Sequence, residues 1–480
     1  MVTASTAEVY RCPGEEYDIT RAVHLARLAM SYSKCRLCPH APGACAASES
    51  SETEVELPRR PGDSLFTPEG VRGRYLNDLT RTTAGQIAGA MASCLWDDFV
   101  RAEAVVAAAC PVPTATNETR ASDADTTSPL WNPLLSGEGV RLLTAGRAGP
   151  MVVLAHDERH SSPDIAAGVG QALRRMGCQV VDVGLVTRPC MVFAVDHLHA
   201  AGAVHVTGAG CDPGWNGLDF VTRGGIPNSS PGDLDRIARR YRDGFSRPSR
   251  RPGSQRTFPA AVPYEAGLLK YLHALRPLKI AFACSSRTLH DLFSRVFHKV
   301  ACRLLVVETP TRARSSLDPK DPDLERVSQH VRKAEAHLGV LVEEDGERCI
   351  FFDERGHFVA PALVAAVLAN ENGDAARCAL PGLPAPDQVK DRHASREEIT
   401  VAMRRNRAPF AADGAGRYWL AEAYPACDAL LTLLHLLQAL SRSDTPLSEV
   451  VQSQVPPAGR DLNDRTTNDE ATSRPPNVGR

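Results

Sequence analysis

The sequence predicts three α/β domains in tandem, each a mixed sheet sandwiched by helices, preceded by a cysteine-containing segment and followed by a disordered tail. Three observations predict it. At 480 residues the chain is too long for one ordinary core and long enough for about three. From Leu65 onward, short β-rich apolar runs alternate with stretches of helical spacing, the pattern of strands joined by helices packed on both faces of a sheet. The two ends have a different, polar composition.

The first 60 residues hold Cys12, Cys35, Cys38 and Cys45 around a stretch of helical periodicity, "ITRAVHLARLAM", and then run into the polar linker "AASESSETEVELPRRPGD". Cys35 and Cys38 form a C-x2-C knuckle, and with Cys12, Cys45 and His40 they provide enough soft donors for a tetrahedral structural zinc. Free thiols are the alternative reading. Most of the other cysteines, such as Cys178 and Cys302, stand singly in apolar runs, where cysteine behaves as a small buried hydrophobe of a reducing compartment.

The first domain is expected over 64–248. "MVVLAHD" reads as a strand and "SSPDIAAGVGQALRRMG" as a helix entered through Ser and Pro. "CQVVDVGLV" is a second strand, "RPCMVFAVDHLHA" a helix and "GAVHVTG" a third strand. The polar, Pro-rich stretch 110–146 breaks the pattern and reads as a flexible insertion. After the basic joint "SRPSRRPGSQRTFPAAVP", the second domain (260–356) runs through the strand "LKIAFAC", the helix "SRTLHDLFSRVFHKV", the strand "CRLLVVET", the helix "DLERVSQHVRKAEAH" and the strand "LGVLVEEDGERCIFFDERG". A third (357–450) carries the helices "APALVAAVLANE" and "CDALLTLLHLLQALSR". The polar, Pro-rich stretch 451–480 is expected to be disordered.

Composition excludes some functions. A formal net charge of -2 with 43% hydrophobic residues gives no bulk attraction to nucleic acid or to a membrane surface. No run approaches the ~20 apolar residues that cross a bilayer, and the N-terminus lacks a basic start followed by an apolar core. A cytoplasmic protein is expected.

Five stretches, in order along residues 64 to 450, carry a resemblance. They are "LFTPEGVRGRYLNDLT", "AHDERHSSP", "VTGAGCDPGWNGLDF", "VEEDGERCIFFDERG" and "ADGAGR". Together the chain resembles the α-D-phosphohexomutase superfamily of phosphoglucomutases and phosphomannomutases. Those motifs are the opening F-G-T-x-G-[IV]-R-G loop, the G-x-D-x-R strand end, the phosphoserine loop T-A-S-H-N-P-x-x-Y-N-G-x-K, the metal loop D-G-D-x-D-R and the sugar loop G-E-x-S-G-H. The resemblance implies magnesium-assisted transfer of a phosphoryl group between a serine and a hexose phosphate, which needs an oxygen nucleophile, a divalent cation, cationic donors and a proton-handling group.

Several of these requirements are not met. Counted from Thr207, the family serine falls on Ala209, which carries no hydroxyl. The loop lysine falls on Asp219 and the sugar-loop histidine on Arg417, which is not a neutral base; the sugar-loop glutamate becomes Asp413. The metal positions become Glu343, Asp345 and Glu347, which in an extended segment would face one way, though two longer side chains suit octahedral magnesium less well. Weak or lost magnesium is therefore expected. Arg72, Asp157, Arg159 and Arg348 keep family positions, and with Arg417 their guanidiniums could grip a phosphate. The family's small fourth domain, with its loop for the remote phosphate, has no counterpart after "SDTPLSEV", so the cleft is expected to be open on that side.

Three functions remain. The chain is a member that has lost its reaction but still binds a hexose phosphate; it turns hexose phosphates over with a substitute nucleophile, Cys211 or Thr207; or it is a protein-interaction scaffold built around the cysteine segment. The identity of the sugar and of any protein partner is not written in the sequence.

Overall fold

The computed structural model describes residues 65–109, 149–312, 321–371, 394–421 and 426–454, with short pieces between residues 9 and 38. The insertion expected over 110–146 lies outside the described residues, as do Cys12, Cys35, His40, Cys45 and the tail beyond 454. Cys38 is described and buried. Strands β1 (Val9–Arg11) and β2 (Asp18–Thr20) pair antiparallel. Ile19 and Thr20, expected to open a helix, thus belong to a strand, and helical backbone is found only beyond them, at Val23, His24, Ala26 and Arg27.

Eight strands form the largest sheet: β3 (Phe66–Thr67), β4 (Gly70–Arg74), β5 (Met151–His156), β6 (Gln179–Leu185), β7 (Gly202–Val206), β8 (Trp215–Thr222), β9 (Ile226–Pro227) and β10 (Gln255–Thr257). Their order is β10-β6-β5-β7-β8-β4-β3, with β9 on β8. β10, β6, β5 and β7 run parallel; β8 returns antiparallel to β7, and β4 antiparallel to β8. Alternation decides which face each side chain serves. On β5, Val152 and Leu154 enter a core with the helices Arg81–Ala109 and Ser162–Arg175, whereas Val153 and Ala155 enter a core with the helix Arg188–His197.

The second sheet has the order β12-β11-β13-β14-β15, from β11 (Lys279–Cys284), β12 (Arg303–Glu308), β13 (Leu338–Val342), β14 (Cys349–Phe352) and β15 (Phe358–Val359). On β11, Ile280, Phe282 and Cys284 face the same core as Val153, while Ala281 and Ala283 face the helix Pro322–Ala334. The stretch expected to be one strand from Leu338 is an antiparallel hairpin of β13 and β14. Its turn holds Glu343–Arg348, with Gly346 at φ 72°, a left-handed conformation that breaks an extended run. β16 (Phe410–Ala412) and β17 (Tyr418–Leu420) form a separate two-stranded ladder beside the helices Arg396–Asn406 and Ala429–Ser441. One buried cluster runs from Val153 through Phe282 to Leu437 and so joins all three sheets. Among the described residues no helix is long and apolar enough to cross a membrane.

Candidate functional site

The loop after β7 accepts the Tyr75 amide of the opening segment through the Gly214 carbonyl, and the hairpin turn pairs with the β16–β17 turn through the Arg348–Arg417 bridge and the Cys349 amide on the Gly416 carbonyl. Asp157, at the end of β5, accepts the Gly208 amide through Oδ2 at 2.9 Å and the Arg159 amide through Oδ1 at 3.1 Å, and Ser162 Oγ also donates to it. Arg159 grips the same loop from inside, donating to the carbonyls of Cys211, Asp212 and Trp215 at 2.8–3.1 Å. A side chain at Gly208 would meet the Trp215 carbonyl at 2.6 Å and Arg159 Nε at 2.7 Å, so only glycine lets the guanidinium lie there. Thr207 Oγ1 accepts the Ala209 amide at 3.0 Å, and Asn216 donates to Ser161 and Ser162. The backbone path is therefore held at both ends and in the middle, around a residue with no hydroxyl.

Arg159 also donates to Glu344 of the hairpin turn at 2.7 Å. Beside these groups lies a cavity of about 590 Å³ lined by Tyr75, Asp157, Arg159, Ser161, Pro213 and Glu344 among others.

Deeper in, charges alternate. Asp219, on β8, lies 2.6 Å from Arg72 and 2.5 Å from Arg188. Arg188 Nε is 3.0 Å from Glu347, whose other oxygen is 2.6 Å from Arg396. Arg396 is 3.3 Å from Glu69; Glu69 is 3.4 Å from Arg417, and Arg417 is 3.5 Å from Asp345. Burial alone would raise the Asp219 carboxyl, but Arg72 and Arg188 outweigh it and hold the group well below the usual carboxylate range. Burial would likewise lower Arg396 and Arg417. Glu347 and Glu69 lift Arg396 well above its ordinary value, and Glu69 and Asp345 lift Arg417 despite the repulsion from Arg396. Each charge is stabilised by its neighbours in the chain.

The candidate phosphate-binding residues thus divide. Arg72 and Arg417 belong to this chain of charges; Arg159 holds the β7–β8 loop and Glu344; Arg348 pairs with Glu343 at 3.7 Å. Asp413 accepts the amides of Ala415 and Arg417 and so shapes its own turn. The three candidate metal ligands do not lie along an extended segment, because Glu343, Asp345 and Glu347 sit around a reverse turn, Glu343 against Arg348, Asp345 against Arg417, and Glu347 against Arg188 and Arg396 with Arg417 at 3.9 Å. Among the described residues no group of three or more His, Cys, Asp or Glu side chains is arranged to hold a metal. Of the candidate nucleophiles, Thr207 is buried with its oxygen accepting a backbone amide, and Cys211 is half-exposed on the loop.

Glu69, Arg188 and Arg396 were not among the residues expected from the sequence. A signal existed: an acid at 219, where the resemblance leads one to expect a lysine, requires a compensating cation once buried. Its position could not be read, because Arg188 and Arg396 are the first residues of their helices, where a cation opposes the helix dipole.

Comparison with known proteins decides the relationship. The family model for phosphoglucomutase/phosphomannomutase alpha/beta/alpha domain I matches residues 135–247. The phosphohexose mutases of Xanthomonas campestris pv. campestris are 25% identical over 346 residues, covering 66% of this chain and 75% of theirs. These matches support a phosphohexomutase-superfamily relationship, carried by the family's first domain over residues 135–247. A phosphoglucosamine mutase of Symbiobacterium thermophilum is 26% identical over 240 residues, 48% of this chain and 54% of the relative. A phosphoglucomutase/phosphomannomutase family protein from Burkholderia thailandensis shares the fold at TM-score 0.61 and 21% identity, with 82% of this chain and 80% of that one covered. In this chain the loop after β7 is built around Ala209.

Proposed function

We propose that the protein is a non-catalytic phosphohexomutase-type protein of carbohydrate metabolism, whose role does not pass through a phosphoserine. The observation that carries this reading is the β7–β8 loop. Asp157, Arg159 and Asn216 hold its backbone, yet at the position of the superfamily's serine it presents the methyl group of Ala209. A methyl group neither accepts nor returns a phosphoryl group. The changes at Asp219 and Arg417 support the same reading, because both side chains are committed to buried ion pairs and neither is a free proton carrier.

A hexose phosphate is the candidate ligand, and the cavity beside Arg159 has the volume of a small-molecule site. Arg159 shares its charge with Glu344 and Asp157, so weak binding is expected. Eight of the nine cysteines among the described residues are buried and all nine are free, which supports a reducing, cytoplasmic compartment.

A coupled assay for interconversion of glucose 1-phosphate or mannose 1-phosphate with the 6-phosphates tests the reading on the full chain and on Ala209→Ser. Both are expected at background, since the serine alone restores neither the proton-handling residues nor the cation. Turnover by the unaltered protein above that of a buffer control would overturn it.

A further inference from the structure

Superfamily catalysis draws on a divalent cation, and the residues at the corresponding turn do not fit one. Asp345 spends Oδ1 on the amides of Glu347 and Arg348 at 2.9 and 3.3 Å, and its Oδ2 lies against Arg417. Glu347 presents Oε1 to Arg188 and Oε2 to Arg396. Glu343 lies against Arg348. Magnesium needs oxygens in near-octahedral array at about 2.0–2.1 Å, and here the oxygens point to guanidiniums arriving from three different elements.

Charge counting points the same way. Arg72, Asp219, Arg188, Glu347, Arg396, Glu69, Arg417 and Asp345 alternate in sign, four cations with four anions, and Asp413 lies 3.9 Å from Arg417 at the end of the chain. A divalent ion entering this buried set would add two positive charges where four guanidiniums already offset all but one of the carboxylates, or would have to expel guanidiniums into surroundings that cannot solvate them. The members come from the eight-stranded sheet and its connections (Arg72 and Asp219 on strands, Glu69 in the β3–β4 turn, Arg188 at the start of a helix), from the five-stranded sheet's hairpin turn (Asp345, Glu347) and from the β16–β17 region (Arg396, Arg417).

We propose that this eight-membered ion chain stands in the place of a divalent cation: it fastens the three sheets together at the former metal turn without metal, and the turn binds none. The inference goes beyond the loss of the serine and does not rest on it.

The test uses the full chain and no activity measurement. Free Mn2+ is followed by electron paramagnetic resonance during titration into the protein. Thermal midpoints of the unaltered protein and of Glu347→Gln are measured in EDTA and in excess Mg2+. The expected results are no Mn2+ bound that depends on Glu347, one midpoint for the unaltered protein in both solutions, and a lower midpoint for Glu347→Gln by the same amount in each, because the variant strands Arg188 and Arg396 whether or not metal is present. Mn2+ that remains bound to Glu347→Gln lies elsewhere and leaves the turn metal-free. One Mn2+ per chain lost on that substitution, or a midpoint gap that opens only with Mg2+, would overturn the proposal. Should Glu347→Gln not fold, a rise in the midpoint of the unaltered protein with Mg2+, together with one tightly bound Mn2+, would overturn it, and the absence of both would uphold it.

Discussion

Asp219 shows how one residue can invert a site. At a position where the resemblance leads one to expect a lysine, it puts a carboxylate between Arg72 and Arg188, both within 2.6 Å. Asp219→Ala strands two buried guanidiniums and should cost about 3–5 kcal/mol, the usual cost of breaking a buried pair, read from urea denaturation midpoints. Asp219→Lys, which restores the superfamily residue, should cost more, because it adds a cation beside two others. The carboxyl's folded value lies below its ordinary one, so its contribution is fully present above the ordinary carboxylate pKa of about 3.9 and is lost as pH falls toward the folded value. His205, paired across from Asp219 in the β7–β8 ladder, is pushed down to about 4 by burial, against the pull of Asp157 and Asp219. The unfolded chain therefore binds a proton that the folded chain refuses between pH about 6.5 and about 4, and stability should fall through that window. His205→Gln should flatten this part of a stability-against-pH curve, and an unchanged slope would show that other groups set it.

At the scale of elements, carboxylates from one part of the chain cap helices in another. Glu158 accepts the amides of Arg287 and Thr288 at 2.8 and 2.7 Å and the Thr288 hydroxyl at 2.7 Å, at the start of the helix Arg287–Phe297. Glu397 accepts the Ser229 amide at 2.6 Å and faces the start of the helix Asp233–Asp243. Each places a negative charge where helix dipole and unsatisfied amides favour it. Glu158→Ala should cost about 1–2 kcal/mol and speed hydrogen exchange at the Arg287 and Thr288 amides; protection equal to the unaltered protein would show that this contact holds nothing. The helices Arg287–Phe297 and Pro322–Ala334 of the second unit were readable to within a few residues from apolar spacing, whereas the helix Ala261–Leu268 was not, because it begins inside the Pro-rich joint. The reverse turn at Glu343–Arg348 was not, since a run of charged residues has no period and its geometry depends on Gly346 and on partners far away in sequence.

On the scale of the whole molecule, the cluster running through Val153, Phe282 and Leu437 and the ion chain cross the same junctions between sheets. Residues 65–454 should accordingly unfold as one unit. Calorimetry should give a single transition for this part of the chain whose calorimetric and van't Hoff enthalpies agree, and two resolved transitions would show that the sheets melt independently.

Local order and chemistry were determined by the sequence by itself. The alternation of strands and helices, each of the five loops that carry the resemblance, and the absence of a hydroxyl at Ala209 are all written in residues close to one another. Tertiary structure alone decided what the charges do. Arg72, Arg159, Arg348 and Arg417 read in sequence as a set that could grip a phosphate, but each meets a carboxylate, three of them through partners more than 140 residues away. A charge in a sequence has a sign but no neighbour. Only folding shows whether that neighbour is a ligand, a metal or another side chain of the same protein.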